Sequence, residues 1–198
     1  SSDVCSSDLF AYAQLAHLLE QLILYYPGAF LYVFMPGISP WYIAGVPQQV
    51  YRSSEGTYGG LFVIGDGGTV AIPLSAIQAL QFDTAVYNPA ITYLPKPNFP
   101  PGCDTNILTA VYDYIGSLPE VDITIDCGSN VYSTGPLYLN KYGIIVQADG
   151  TGNDPSFIPV MQITAIGTPE LSEEASVEAA SAAEEGGEPH TRIQRRTE

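Results

Sequence analysis

Apolar positions along this chain change period several times, and the changes come in the same order twice. In residues 10–26, FAYAQLAHLLEQLILYY, Leu15, Leu18, Leu19, Leu22 and Ile23 recur at the spacing of one helical face, and Pro27 with Gly28 ends the run. The segment 29–35 is then continuously apolar and aromatic, which predicts a short strand halted by Pro36 and Gly37. Further strands are predicted at 46–52, 60–64 and 69–73, with GDGG at 65–68 as a tight hairpin turn. One helical turn over 73–77 leads into a last strand at 77–82.

The second half follows the same plan. Ile107, Leu108, Val111, Tyr112 and Ile115 share a helical face within 105–118, and Asp104 is placed to cap it. Val121, Ile123 and Ile125 alternate with Asp122, Thr124 and Asp126, the pattern of a strand with one wet face. Strands are predicted at 136–140 and 143–148, a hairpin at DGTGNDP (149–155), and closing strands at 157–161 and 163–166. The segment AIPLSAIQAL at 71–80 realigns on FIPVMQITAI at 157–166 with a constant offset of 86. Ile72 then falls on Ile158, Pro73 on Pro159, Ile77 on Ile163 and Ala79 on Ala165. The expectation is two copies of one small β module, each preceded by a helix, at 10–84 and 105–168.

The connecting and terminal segments differ in composition. Residues 85–104 form a Pro-rich linker or arm, five prolines falling in YNPAITYLPKPNFPPGC, with Tyr87, Tyr93 and Phe99 either docked on a module or open to a partner. Beyond Thr168 a Glu, Ala and Ser tract offers too few large apolar side chains to offset ordering entropy, so 169–198 is expected to be a disordered acidic tail. Its last nine residues, HTRIQRRTE, shift composition so abruptly that an out-of-frame origin is one reading. Residues 1–9, SSDVCSSDL, resemble the translated adapter remnant found at the edges of environmental assemblies and are set aside.

Composition narrows the function classes. Of 198 residues, 46% are hydrophobic and only 14% charged, which marks a folded body, and 14 tyrosines give it many apolar side chains with one polar tip. The net charge of -15 includes -8 in residues 10–168, where Arg52, Lys96 and Lys141 face 11 acidic residues. So few cations make no basic patch for a phosphate backbone, and nucleic-acid binding is disfavoured. Residues 21–51 carry no charge, but Pro27, Pro36, Pro40 and Pro47 divide the run into pieces shorter than a spanning helix. With Cys5 set aside, Cys103 and Cys127 remain, either as two reduced thiols or as one disulfide, and their spacing is not that of a zinc site.

The order of helix, alternating strand, Gly-bounded hairpin and closing IPxxxI segment resembles a small Sm-like or SH3-like barrel. The resemblance covers 13–82 and 105–167 and rests on ITIDCG at 123–128, GPLYLNKYGIIV at 135–146 and the two IP segments. It is similar to the short Sm-like domains of uncharacterised proteins from endospore-forming bacteria, some of them associated with the spore coat. The resemblance implies a mainly β fold of two tandem barrels. It also implies a cytoplasmic protein, or one assembled onto a spore or other particle surface. Sm-like RNA chaperones share the topology, but their basic uridine-binding residues have no counterpart here, which leaves nucleic-acid binding as the alternative function.

Candidate chemistry is sparse. His17 and His190 are the only histidines, one in the first helix and one in the tail, so a nucleophile and base pair is not expected. Glu120, Asp122 and Asp126 supply carboxylates, the latter two on a solvated strand face. Asp149, Thr151, Asn153 and Asp154 have the oxygen donors of a calcium loop without its distal Glu, and a hairpin turn explains them equally. Trp41 and Tyr42, in the Pro-rich loop PGISPWYIAG, are the candidate partner-binding residues, with capping of the core as the other reading. The expected function is therefore a noncatalytic structural or interaction protein with no cofactor and no metal. Its expected partners are other proteins or its own copies, with neither nucleic acid nor membrane among them.

Overall fold

The computed structural model describes residues 7–38, 40–52, 60–100, 102–103, 106–119, 122–129, 131–168 and 193–195. Helix α1 spans Ser7–Tyr25 and buries Ala11, Gln14, Leu15, Ala16, Leu18, Leu19 and Leu22. It starts three residues earlier than its apolar pattern predicts, and Ser7, in the segment set aside above, is buried. The first half continues with β1 (Leu31–Phe34), β2 (Tyr42–Tyr51), β3 (Leu61–Gly65), β4 (Thr69–Pro73), a 3-10 turn (Leu74–Ala76) and β5 (Ala79–Phe82). Helix α2, Ile107–Ser117, is capped by Asn106, whose side chain accepts the Thr109 amide at 3.1 Å, while Asp104 lies outside the described residues. After it come β6 (Asp122–Asp126), β7 (Val131–Lys141), β8 (Ile144–Gln147), β9 (Ser156–Pro159), a 3-10 turn (Val160–Gln162), β10 (Ala165–Gly167) and β11 (Ile193–Arg195).

The fold is mainly β, as the sequence predicts, but its strands are not closed into two barrels. They form one open antiparallel sheet in the order β10-β6-β7-β8-β9-β5-β1-β2-β3-β4, with β11 paired to β7 off that path. The first half contributes β5-β1-β2-β3-β4 and the second β10-β6-β7-β8-β9, the same arrangement of strands. The halves are fused where β5 pairs with β9, Leu80 opposite Phe157 and Gln81 opposite Ser156. The long strands β2 and β7 each change partner midway. Residues up to Gly45 pair with β1 and those from Val46 with β3, just as residues up to Pro136 pair with β6 and those from Leu137 with β8. Gly45 allows the first crossing, since a Cβ there would lie 3.1 Å from the Gly65 backbone.

Period-2 geometry explains why the central strands read as unbroken apolar runs. Ile144 and Val146 of β8 face one core, while Ile145 between them faces the other. Phe157 and Ile158 of β9 divide in the same way, as do Val33 and Phe34 of β1. One core lies under α1 and takes Ile144, Val146 and Phe157 from the second half; the other, under α2, takes Ala11, Phe34 and Ala79 from the first. A polar row is sealed across the seam, with Gln147, Ser156 and Gln81 opposite one another on β8, β9 and β5 and all fully buried. Gln147 donates to the Ile123 and Gly135 carbonyls and accepts from Ser133.

Two expectations change. Cys127 is a free buried thiol, so the disulfide with Cys103 weighed above does not form. Within the tail, Ile193–Arg195 pairs antiparallel with Val131, Tyr132 and Ser133, and Ile193 is fully buried. An exposed flank of β7 attracts this short strand, which no helical or alternating pattern in the tail foretells. The rest of 169–198 lies outside the described residues.

Candidate functional site

The Pro-rich segment after β5 docks along α1. Gln14, fully buried, donates to the Tyr142 carbonyl at 2.8 Å and accepts the Leu94 amide at 2.8 Å. Gln21 grips Thr92 from both sides, accepting its amide and donating to its carbonyl, each at 2.7 Å. Tyr87 and Ile91 are buried in the α1 core. Fixed in this way, residues 87–96 form one wall of a cleft whose other walls are Tyr112 of α2 and residues 138–142 of β7 and its turn.

The cleft has a volume of about 700 Å³, within the range of small-molecule sites. Its lining includes Tyr87, Tyr93, Tyr112, Tyr138 and Tyr142 together with Lys96 and Lys141. The tetrapeptide Tyr-Leu-x-Lys supplies two walls, as YLPK at 93–96 and YLNK at 138–141. The lysines cross over: Lys141 Nζ lies 5.7 Å from the Tyr93 ring centre, and Lys96 Nζ lies 5.1 Å from that of Tyr142. Tyr142 is held by hydroxyl contacts to Thr109 at 2.8 Å and Asn106 at 3.1 Å. Burial raises the Tyr93 hydroxyl well above the usual phenol range, and its contact with the Tyr87 hydroxyl at 3.2 Å adds to the shift. The Tyr87 hydroxyl is raised as well, again chiefly by burial. Both phenols are therefore neutral at physiological pH. Asn140, on the same wall, donates Nδ2 to the Tyr112 carbonyl at 2.8 Å, while its Oδ1 is shielded from solvent and has no hydrogen-bond partner among the described residues.

The sequence-predicted residues lie elsewhere. Trp41 packs on buried Phe34 with ring centres 4.9 Å apart, and Tyr42 sits edge-on to Tyr32 at 5.2 Å and to Trp41 at 5.8 Å. Both rings are half-buried against the α2 core, so one face of the corner is packed and the other meets solvent. His17 contacts the Thr92 hydroxyl at 3.2 Å, and Glu120 and His190 lie outside the described residues. Asp122 is exposed, Asp126 accepts the Gly128 amide at 2.9 Å, and Thr124, expected on the wet face, is buried against Thr134 at 3.0 Å. The Asp149 carboxylate accepts from the amides and side chains of Thr151 and Asn153, which lowers its pKa below the usual carboxylate range. That geometry organises a hairpin turn. Among the described residues no cluster of three His, Cys, Asp or Glu side chains is placed to hold a metal. No helix among them is long and apolar enough to cross a membrane.

No family model, curated protein or solved structure matches this chain. The cleft itself was missed in the sequence. Its signal was the doubled Tyr-Leu-x-Lys, which places two of the three cations of residues 10–168 beside aromatic rings.

Proposed function

We propose that this chain is a noncatalytic assembly protein made of two Sm-like halves that associates with further copies of itself through its sheet edges. The observation carrying the proposal is the β5–β9 seam. It joins the last strand of one half to the fourth strand of the other, and the same two kinds of edge end the sheet at β10 and β4. The 86-residue offset relates both 3-10 turns, Leu74–Ala76 and Val160–Gln162, and the extended prolines before them, Pro73 and Pro159. Carried through that offset, the seam register would set Ile166 of one copy opposite Ala71 of the next. In β4 only Ile72 is buried, and Val70 is 41% exposed, consistent with an edge that has no partner strand among the described residues. The resemblance to spore-coat-associated domains offers one setting for such assembly, and the half-exposed Trp41 and Tyr42 offer a separate face for a protein partner.

The test uses the full chain. The Phe82 amide bonds the Pro155 carbonyl, which makes Leu80–Phe157 the next hydrogen-bonded pair of the seam and gives Ala71, its equivalent on β4, an outward amide. Ala71→Pro removes that donor while leaving the β3–β4 ladder, so it should abolish association and preserve the thermal midpoint. Light scattering should show concentration-dependent multimers that persist or strengthen as salt rises, because salt screens repulsion between acidic copies. A complex with nucleic acid weakens under the same change. A strictly monomeric chain, or an A71P variant that assembles normally, refutes the proposal.

A further inference from the structure

We propose that the cleft between residues 87–96 and 138–142 binds a small organic anion bearing a flat ring, such as an aryl phosphate or aryl carboxylate. Three features converge on this chemistry. The first is unspent positive charge. Arg52 is neutralised by Glu20 at 2.9 Å, whereas Lys96 and Lys141 have no carboxylate partner among the described residues, and both line this one cleft. In a chain of net charge -15, two cations without counter-charges, facing a common space, are a local exception to the field around them.

The second feature is the wall. Tyr112 is 38% exposed and Tyr138 is half-buried, so both rings present surface to the cleft, and each stands against a more buried neighbour, Tyr142 at 5.9 Å and Tyr87 at 5.1 Å. Flat faces of this kind favour stacking with a ring, and a lysine already seated over an aromatic ring can meet an anion without leaving it. The third is Asn140 on the same wall: its Oδ1 has no hydrogen-bond partner among the described residues and is shielded from solvent, so a small turn of the side chain on binding would bring it to a hydroxyl or N–H on the ligand. Lys96 and Lys141 are the only Lys, Arg, Asp or Glu side chains among the lining residues. A bare anion would forgo the rings, and a neutral ring would forgo the lysines. The proposal is independent of the edge-to-edge assembly described above.

Phenyl phosphate is the probe, with inorganic phosphate and phenol as its two halves. Titration of the full chain, followed by calorimetry and by the ring resonances of Tyr93 and Tyr142, should show saturable binding of phenyl phosphate. Each half should bind at least about tenfold more weakly, and affinity should fall as salt rises. Lys96→Met with Lys141→Met should weaken phenyl phosphate at least about tenfold while the thermal midpoint holds, since both stems remain apolar. If the double variant fails to fold, Lys96→Met alone carries the test, because Lys96 is exposed on the docked segment. The proposal is overturned if phenyl phosphate shows no saturable binding, if either half binds as well as the whole, or if the lysine variants retain wild-type affinity.

Discussion

Strand β11 gives the sharpest test of how this fold is held together, because three residues near the end of an acidic tail are asked to complete a core. Ile193 is fully buried, its amide donates to Gln81 Oε1 at 3.2 Å, and Gln194 accepts the Tyr132 hydroxyl at 2.7 Å. Replacing a buried Ile by Ala ordinarily costs about 2–5 kcal/mol. That figure is an upper limit here, since 24 residues separate Thr168 from Ile193 and the strand can leave its site without unfolding the sheet. Once it leaves, water reaches the β7 amides, and each lost hydrogen bond then counts only for its net value of roughly 0.5–1.5 kcal/mol. The expected cost of Ile193→Ala is therefore about 3 kcal/mol, which in a chain of this length lowers the melting midpoint by roughly 6–12 °C. Deleting residues 190–198 should cost as much or more. Thermal melts followed by circular dichroism measure both, and hydrogen exchange at Tyr132, whose amide faces Gln194, shows whether the β7 flank has opened. Midpoints within about 2 °C of wild type for both variants, with no faster exchange, would refute the claim that β11 completes the core.

Two further perturbations address the site residues and the buried thiol. Exchanging Trp41 and Tyr42 together for Ser strips rings from Phe34, and because both are only half-buried the expected cost is about 2–3 kcal/mol, below that of a fully buried aromatic. An unchanged unfolding midpoint in urea would mean that the corner is not part of the core. The Cys127 thiol is pushed up to about 12, first by burial and then by Asp126. The unfolded thiol loses its proton near 8.5, so the native state holds more protons between the two values, and stability should fall as pH rises through that window. The Cys127 peptide from native protein should also resist alkylation at pH 8, and full labelling within minutes would contradict its burial.

Local pattern determined a good deal of this molecule. The i, i+3, i+4 spacing of α1 and α2, the Gly-rich hairpins after β3 and β8, and the IP turns before β5 and β10 are encoded within a few residues, where period and turn chemistry act directly. The tertiary structure decided which edges meet. GIIV and FIPV read as apolar runs whose period is invisible, and only the sheet reveals that neighbouring residues serve different cores. The β5–β9 seam depends on backbone groups that every sequence carries, so no side-chain pattern announces it. The same holds for IQR at 193–195, which becomes a strand because β7 bends away from β8 and leaves a flank unpaired. Lys96 and Lys141 are 45 positions apart in the chain. Their shared cleft exists because Gln14 and Gln21 of α1 hold the Pro-rich segment against the second half, a long-range contact that hydropathy and spacing do not encode.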